Sequence, residues 1–452
     1  MQNRSNFLTK NSFVLRALLL SLIVKLFLAY LLPVVGDESY YLVWGQYLQL
    51  SYFDHPPAVA WLTWISNQLY SVFPLSWFWL SIRLPFIIIS TVTFLIWLKA
   101  YLFEQNEDAN VKSFTILYFL NPLLGLGGIF ATPDIPLLFF WSMAYYAILK
   151  IRATQFIKWY AILGVSLGLG FCSKYHIVVL PISMIIALFF LKDLKSIQIK
   201  KLIYTVIFGF IFFFFFVIWN YQNEWSSFLF QLNHGFNAEK KYNFMWTISY
   251  LVGQVILFNP IILFYLFKNV KKSLTKNVAL SQWGFFVFSS FKAIVEANWP
   301  VTSHAQGLLG VKSDFKKYFK FSVFYWCLIW LVLIGLIMSP VSTEKLVNIP
   351  QSYSAREIYN LTKAYRPLFG PTYQLSSLMH AISNEPIYKL DGLSRLDFYD
   401  YLKSSLPSDD MTNFYVLKYV QTTWPEWVDD YKIEKVLDLP KYQLELYELS
   451  YE

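Results

Sequence analysis

Gly36-Asp37-Glu38-Ser39-Tyr40-Tyr41, followed shortly by Tyr52-Phe53-Asp54-His55-Pro56-Pro57, stands between the first long apolar run of the chain and the second. Acids and an imidazole gathered where a chain leaves an apolar segment are cheap only if hydrated or paired, and they mark a working site more readily than a linker. The alternative is a solvated turn that stops the first helix. If Asp37 and Glu38 lie on a helix, their side chains diverge by about 100°. One can then face a reacting group while the other orients a basic partner or an acceptor.

Outward from that stretch the chain is apolar. Of its 452 residues 56% are hydrophobic, 20% aromatic and only 14% charged, the composition of a polytopic membrane protein. Apolar runs near 17–35, 84–102, 113–131, 135–151, 158–173, 176–191, 202–219, 245–267, 278–295, 300–311 and 322–340 predict about eleven spans, judged by the roughly 20 residues a crossing helix needs. Ser289, Ser290, Lys292, Ser303 and His304 interrupt the ninth and tenth, which should be buried among other helices, broken, or lining a cavity. The Phe-rich stretch 210–216 reads as lipid-facing. The loop 36–83 contains Ala58-Val59-Ala60-Trp61-Leu62-Thr63-Trp64-Ile65, too short to span and rich in Trp, as suits a helix lying in the interface. Arg4, Lys10 and Arg16 precede the first apolar run as in a signal peptide. Leu31-Leu32-Pro33-Val34-Val35 offers no small-x-small cleavage site, so an uncleaved first helix is expected.

The formal charge of +9 is unevenly spread: residues 341–452 hold 11 Lys and Arg against 16 Asp and Glu, the rest 26 against 12. The basic balance belongs to membrane loops, and nucleic acid is not an expected partner. Counted over alternating loops, 19 cationic residues fall on one side and 5 on the other. Positive residues stay cytoplasmic, which predicts a cytoplasmic N-terminus. The acidic first loop, the Thr132-Pro133-Asp134 turn, the 220–244 loop, the Glu296–Pro300 segment and the C-terminal region then face outward. Two domains are expected: a transmembrane domain over 1–340 and a soluble α/β domain over 341–452. The latter should have strands at Pro386–Leu390 and Phe414–Leu417 and helices at 373–382 and 396–404. Both cysteines, Cys172 and Cys327, fall in apolar segments, which excludes a disulfide framework and a metal–thiolate spacing.

Asp134 follows Thr132-Pro133, where it can cap the next helix or serve the site. Lys174 interrupts apolar sequence on the cation-poor face. Either something negative meets it there, and a lipid phosphate would fit, or it snorkels to the headgroups. His234 lies in the longest mid-chain outer loop, as a structural or a site histidine. Glu296 and Asn298 in Glu-Ala-Asn-Trp-Pro are placed to contact sugar, or mark a plain span end. Asp37, Asp134 and His55 are able to hold a divalent ion, although no ligand spacing demands one, and no other cofactor is indicated. Gly-rich phosphate loops and His-Glu-x-x-His do not occur.

Taken together, Asp37-Glu38-x-Tyr-Tyr, Tyr52–Pro57, Arg83-Leu84-Pro85, Thr132-Pro133-Asp134, Ser173-Lys174-Tyr175 and Glu296–Pro300 resemble the bacterial branch of the protein mannosyltransferase superfamily, glycosyltransferase family 39. Phe369-Gly370-x-x-Tyr373-Gln374 and Ser394-Arg395-Leu396-Asp397-x-Tyr399-Asp400 resemble the C-terminal extension of many bacterial members. The resemblance implies a GT-C fold, a polytopic α-helical membrane protein with a small C-terminal α/β periplasmic domain, in the bacterial inner membrane. It implies an inverting enzyme that moves a sugar from a polyprenyl phosphate, such as undecaprenyl phosphate, to lipid A or another glycan or protein acceptor. It implies Asp37 as base or acceptor-orienting acid with Glu38 beside it. Lys174 matches a phosphate-binding lysine of the aminoarabinose lipid A transferases, with Arg83 and His55 as further donor-phosphate ligands. Asp54-His55-Pro56 matches their Glu-Lys-Pro stretch with His in place of the cation. Tyr41, Asp54, Asp134, Tyr175, His234, Glu296 and Asn298 are the candidate substrate contacts. A membrane carrier or flippase for a lipid-linked sugar is the competing reading, since intramembrane Lys and acids also mark transport paths. It requires paired broken helices in two related halves, which the sequence does not show.

Overall fold

The computed structural model describes residues 12–74, 77–236, 241–268, 273–338, 349–402, 407 and 412–451, except for the side chains of 234–236, 336–338 and 349–353. Two compact units divide the chain: Met1–Tyr30, Gln49–Leu62 and Arg83–Ile334 form one, and Leu31–Leu48, Thr63–Ile82 and Gly335–Glu452 the other.

The first unit is helical. Its main elements are α1 (Ser12–Leu31), the greater part of α4 (Phe78–Gln105), α5 (Val111–Leu120), α6 (Asp134–Thr154), α7 (Ile157–Ser173), α8 (Val179–Phe190), α9 (Leu202–Gln222), α10 (Ser226–Phe236), α11 (Phe244–Phe258), α12 (Pro260–Phe267), α13 (Leu274–Ser290), α14 (Val301–Leu308) and α15 (Lys316–Met338). Among the described residues five helices are long and apolar enough to cross a membrane, so this is a multi-pass membrane protein, and α11 with α12 makes a sixth if the bent pair is one span. Val111–Leu120, Ile157–Ser173 and Tyr175–Phe190 are shorter apolar helices at positions where the sequence predicts crossings.

The single span expected over 245–267 is instead broken, α12 leaving α11 at 96°. The cause is local. Pro260 has no N–H to continue the ladder. Asn259, at φ 81°, turns its side chain to accept from the Ile261 amide at 3.0 Å, and its amide nitrogen donates to the Ser322 carbonyl at 3.0 Å.

The weak ninth and tenth runs become α13 and α14, joined by a non-helical segment, and Ser289, Ser290, Ser303 and His304 are buried as their polarity requires. Polar groups taken out of water need partners. The amide of Asn121 donates to His304 Nδ1 at 3.1 Å, which leaves Nε2 to donate to Gln254 Oε1 at 2.9 Å. Thr302 and Ser303 donate to Gln282 Oε1 at 2.8 and 3.1 Å. Lys292 alone of that set is exposed.

Helices α7 and α9 approach closely because glycines remove the side chain between them. A Cβ on Gly168 would stand 2.6 Å from the Gly209 carbonyl oxygen, and one on Gly164 would stand 2.4 Å from that of Thr205. The opposite face of α9 exposes Phe210, Phe214 and Phe215, whereas Phe216 of the expected 210–216 lipid-facing stretch is buried against Phe171 and Tyr175.

The second unit contains α2 (Gly36–Trp44), most of α3 (Ala58–Val72), α16 (Ile349–Thr362), α17 (Tyr373–Ser383) and five strands: β1 (Leu368–Gly370), β2 (Tyr388–Lys389), β3 (Asn413–Tyr419), β4 (Tyr431–Leu439) and β5 (Leu444–Tyr451). The sheet order is β2-β1-β3-β5-β4, with β1 parallel to β2 and β3 and the remaining pairs antiparallel. Phe369, Leu390, Phe414, Val416 and Leu449 form its core. The α3 helix runs a turn and more past the expected 58–65, exposing Trp61, Trp64 and Ile65. Of the helix expected over 396–404, residues 403 and 404 lie outside the described residues; the rest holds only a 3₁₀ turn, Phe398–Tyr401, capped at its start by Asp397 and Asp400 and ended by Leu402 in extended conformation, φ −100° and ψ 126°.

Gly168→Leu should force α7 and α9 apart. Overpacking of this kind costs about 1–3 kcal/mol, which a thermal melt of the purified protein in lipid nanodiscs would read as a lowered midpoint.

Candidate functional site

In the first unit, three of the sequence motifs meet at one carboxylate. Thr132-Pro133 turns the chain so that Asp134 opens α6, yet its side chain does not cap that helix. Instead Oδ1 accepts from Lys174 Nζ at 2.7 Å and Oδ2 accepts from the Asn298 amide at 2.6 Å. Lys174 reaches it because the chain leaves α7 in extended conformation, at φ −160° and ψ 139°, before the next 3₁₀ turn. The lysine side chain is 7% exposed and the aspartate 10%. The ammonium therefore does not snorkel to a headgroup, and the negative charge that the sequence requires beside it is supplied by Asp134. An ammonium has three donors, so the bond to Asp134 leaves capacity for a second anion. His176 packs its ring on Trp299 and Phe286 at 5.1 and 5.3 Å between centroids, which fixes the segment carrying Asn298 to the turn after Lys174.

Other predicted residues of this unit have different settings. Arg83 is fully buried, donates to the Ala29 carbonyl at 3.2 Å and lies 5.6 Å from the centre of the Phe130 ring. Asp54 is buried, and its backbone carbonyl accepts from the Gln231 amide, while His55 is half-buried ahead of Pro56-Pro57. Tyr175 bonds Ser227 Oγ at 2.7 Å and packs on Phe171 and Phe216. Glu296 is exposed. The His234 side chain lies outside the described residues. No group of three or more His, Cys, Asp and Glu among the described residues is placed to hold a metal ion.

In the second unit, Asp37 and Glu38 sit in the first turn of α2, where a helix end favours anions, and there they part company. Glu38 is fully buried and accepts from the Val35 backbone amide at 3.1 Å, tying down the start of its own helix. Asp37 faces outward, and its Oδ1 accepts from the Tyr373 hydroxyl at 3.4 Å. The helix is pinned to the C-terminal fold. The Phe398 amide donates to the Tyr40 hydroxyl at 2.7 Å, Ser39 and Ser377 share a 3.0 Å bond, and a Cβ on Gly36 would meet Gln374 Cβ at 2.8 Å. Thr63 Oγ1 and the Asn67 amide donate to the Tyr41 and Leu42 carbonyls at 2.6 and 3.0 Å. Tyr41 itself is buried against Trp44 and Tyr40.

The turn that meets Tyr40 rests on a buried charge cluster not foreseen from sequence. Lys389 Nζ lies 3.0 Å from Asp397 and 2.6 Å from Asp400, with all three side chains buried. Burial pushes the Asp397 carboxyl up to about 6, against the pull of Lys389. The Ser394–Asp400 motif was the available signal, but nothing in it names Lys389 as the countercharge.

Comparison with known proteins fits this geometry. Residues 54–219 match the dolichyl-phosphate-mannose-protein mannosyltransferase family. That stretch carries Asp54, His55, Arg83, Asp134, Lys174 and Tyr175. The lipid A galacturonosyltransferase RgtD of Rhizobium johnstonii is 27% identical over 142 residues, which is 31% of this chain and 29% of the relative, so the match spans under a third of that protein's length. Crystal structures of ArnT from Cupriavidus metallidurans, one bound to undecaprenyl phosphate and one in the apo state, share the fold. Each has a TM-score of 0.63 and covers 97% of this chain and 98% of the other, at 12% and 11% identity. The chain has the ArnT-like GT-C fold.

Lys389→Met should strand two carboxylates in the core of the second unit, a loss of about 3–5 kcal/mol. Asp397→Asn, which replaces a carboxyl already held toward its neutral form, should cost much less. Thermal unfolding followed by tryptophan fluorescence would rank the two; equal midpoints would show that the cluster is not what holds the turn.

Proposed function

We propose that the protein is an inverting glycosyltransferase that moves a sugar from a polyprenyl phosphate to an envelope acceptor of the lipid A class. It would act at the outer face of the bacterial inner membrane, with its N-terminus cytoplasmic and the C-terminal domain periplasmic. The observation that carries the reading is the convergence of Thr-Pro-Asp, Ser-Lys-Tyr and Glu-Ala-Asn-Trp-Pro on one buried carboxylate, which holds an ammonium ready for phosphate. The lipid A galacturonosyltransferase relative and the undecaprenyl phosphate in an ArnT structure support the acceptor and the carrier. The loop-charge asymmetry, 19 cations against 5, supports the orientation.

In this reading the acceptor oxygen attacks the anomeric carbon as the bond from that carbon to the phosphate oxygen breaks, in one displacement that inverts the centre. The acceptor proton passes to Asp37, the outward-facing acid of the pair. The electron pair of the broken bond stays on the carrier phosphate, whose added charge meets the free donors of Lys174. Asp134 and Asn298 position Lys174, Glu38 holds the helix of Asp37, and Arg83 and His55 supply further positive potential to the donor.

Asp37→Asn should leave folding intact and lower transfer by about 10²–10⁴-fold, the usual worth of a general base. Glu38→Gln should act chiefly on stability, because that side chain caps the helix rather than facing outward. Transfer to purified lipid A from a synthetic polyprenyl phosphate sugar, with a melt of each variant, would check both; near-wild-type turnover by Asp37→Asn removes the assignment.

The ion pair changes how Lys174 is tested. Alanine there would bury Asp134 without its cation, at about 3–5 kcal/mol, and confuse folding with function. The double variant Lys174→Met with Asp134→Asn removes both charges together. It should fold and should raise KM for the lipid-linked donor at least about tenfold, equal to roughly 1.4 kcal/mol, while Lys174→Arg should recover part of the loss.

A further inference from the structure

The C-terminal domain contains a cleft of about 320 Å³, within the usual range of small-molecule sites. Its floor is apolar and buried: Ile358 of α16, Leu375 and Leu378 of α17, and Leu444 at the start of β5. Its walls are the half-buried Ser354, Thr372, Gln374, Tyr419 and Tyr442. Among the described residues no charged side chain lines it. Of the charges beside lining residues in sequence, Glu357 and Lys441 pair with each other at 2.6 Å, with Tyr442 also bonding that glutamate, and Lys418 donates to the Tyr419 and Thr422 carbonyls at 3.1 and 2.6 Å.

We propose that this cleft binds an uncharged saccharide unit of the acceptor and delivers it toward Asp37. The lining decides the ligand class. A phosphate or carboxylate would find no cation there. An acyl chain would leave hydroxyls and an amide desolvated without partners, which is costly. A sugar ring offers an apolar C–H face for tyrosine rings and aliphatic floor, and a rim of hydroxyls for Ser354, Thr372 and Gln374. Tyrosines with an apolar body and a polar tip suit such half-wet contacts.

The position of the cleft gives the ligand its role. Gln374 lines the cleft, and its Cβ is where a side chain on Gly36 would collide, at 2.8 Å. Gly36 immediately precedes Asp37. Between Thr372 and Gln374, Tyr373 donates to Asp37 itself. One turn of α17 thus presents the cleft on one side and holds the proposed base on the other. A saccharide seated there lies within one residue's breadth of the helix that carries the acid. The assignment of this sugar as part of the acceptor rests on the transfer reading above; the binding itself does not.

The test uses the full-length protein in lipid nanodiscs free of glycoside detergents, probed with N,N′-diacetylchitobiose and with inorganic phosphate by saturation-transfer NMR. Two variants alter the cleft itself and neither Lys174 nor Asp37: Ser354→Trp fills the cleft from its edge, and Tyr419→Ala removes one aromatic wall. The expected result is saturable binding of the disaccharide and not of phosphate to the wild type, weakened at least about tenfold in both variants. In transfer assays the same variants should raise KM for acceptor by a similar factor with kcat and donor KM unchanged. Disaccharide binding that is absent from the wild type, or unchanged by Ser354→Trp, overturns the proposal. So does a variant that lowers kcat while leaving acceptor KM alone. Because NMR binding needs no turnover, a protein that binds the disaccharide yet transfers nothing would refute the transferase reading and leave the saccharide site standing.

Discussion

An ammonium buried among apolar helices is costly without a countercharge, and at Lys174 the 2.7 Å bond to Asp134 supplies one. The constraint shapes three separate places in the chain. The turn at Thr132-Pro133 has to deliver a carboxylate at the head of α6, the chain has to leave α7 extended at Lys174, and the segment between α13 and α14 has to bring Asn298 to the second carboxylate oxygen. A buried pair of this kind is a poor source of stability, because desolvating both charges offsets most of their attraction. What the pair does fix is the place of the ammonium, whose bond to Asp134 uses one of its three donors.

The second unit solves a different problem with two adjacent acids. The helical step of about 100° between neighbours turns Glu38 inward to the backbone amide of Val35 and leaves Asp37 outside. A short helix of 9 residues would be marginal alone. Here the α17 helix, the 398–401 turn and α3 hold it, through Ser377, the Phe398 amide, Thr63 and Asn67. The C-terminal domain is thereby part of the support for the acid, and the Lys389 cluster is part of the support for that domain.

Much of this was readable from sequence where a local rule applied. Apolar run lengths located the helices of the membrane unit, the polar interruptions at 289–290 and 303–304 announced buried segments, and the Phe-rich face of α9 announced lipid. The misplacement of Lys174 on the cation-poor face announced a nearby negative charge. Local rules failed where two residues competed over geometry. Asn259-Pro260 lies inside an unbroken apolar run, and hydropathy does not register a missing N–H. The 396–404 stretch has helical periodicity, but Asp397 and Asp400 fold back on each other and on Lys389. Strands β4 and β5 carry many charges and half-exposed faces, so they lack the apolar signature that marks β3.

The sequence by itself determined that this is a multi-pass membrane protein with an acidic first loop, a lone lysine in need of an anion, and a small α/β domain at its end, because composition and periodicity act residue by residue. Only the tertiary structure decided which anion meets Lys174, which of two neighbouring acids faces outward, and that the helix carrying them is held by residues more than 300 positions away. Those are pairings across the chain, set by which side chains can reach one another once the backbone is packed, and no local pattern encodes them.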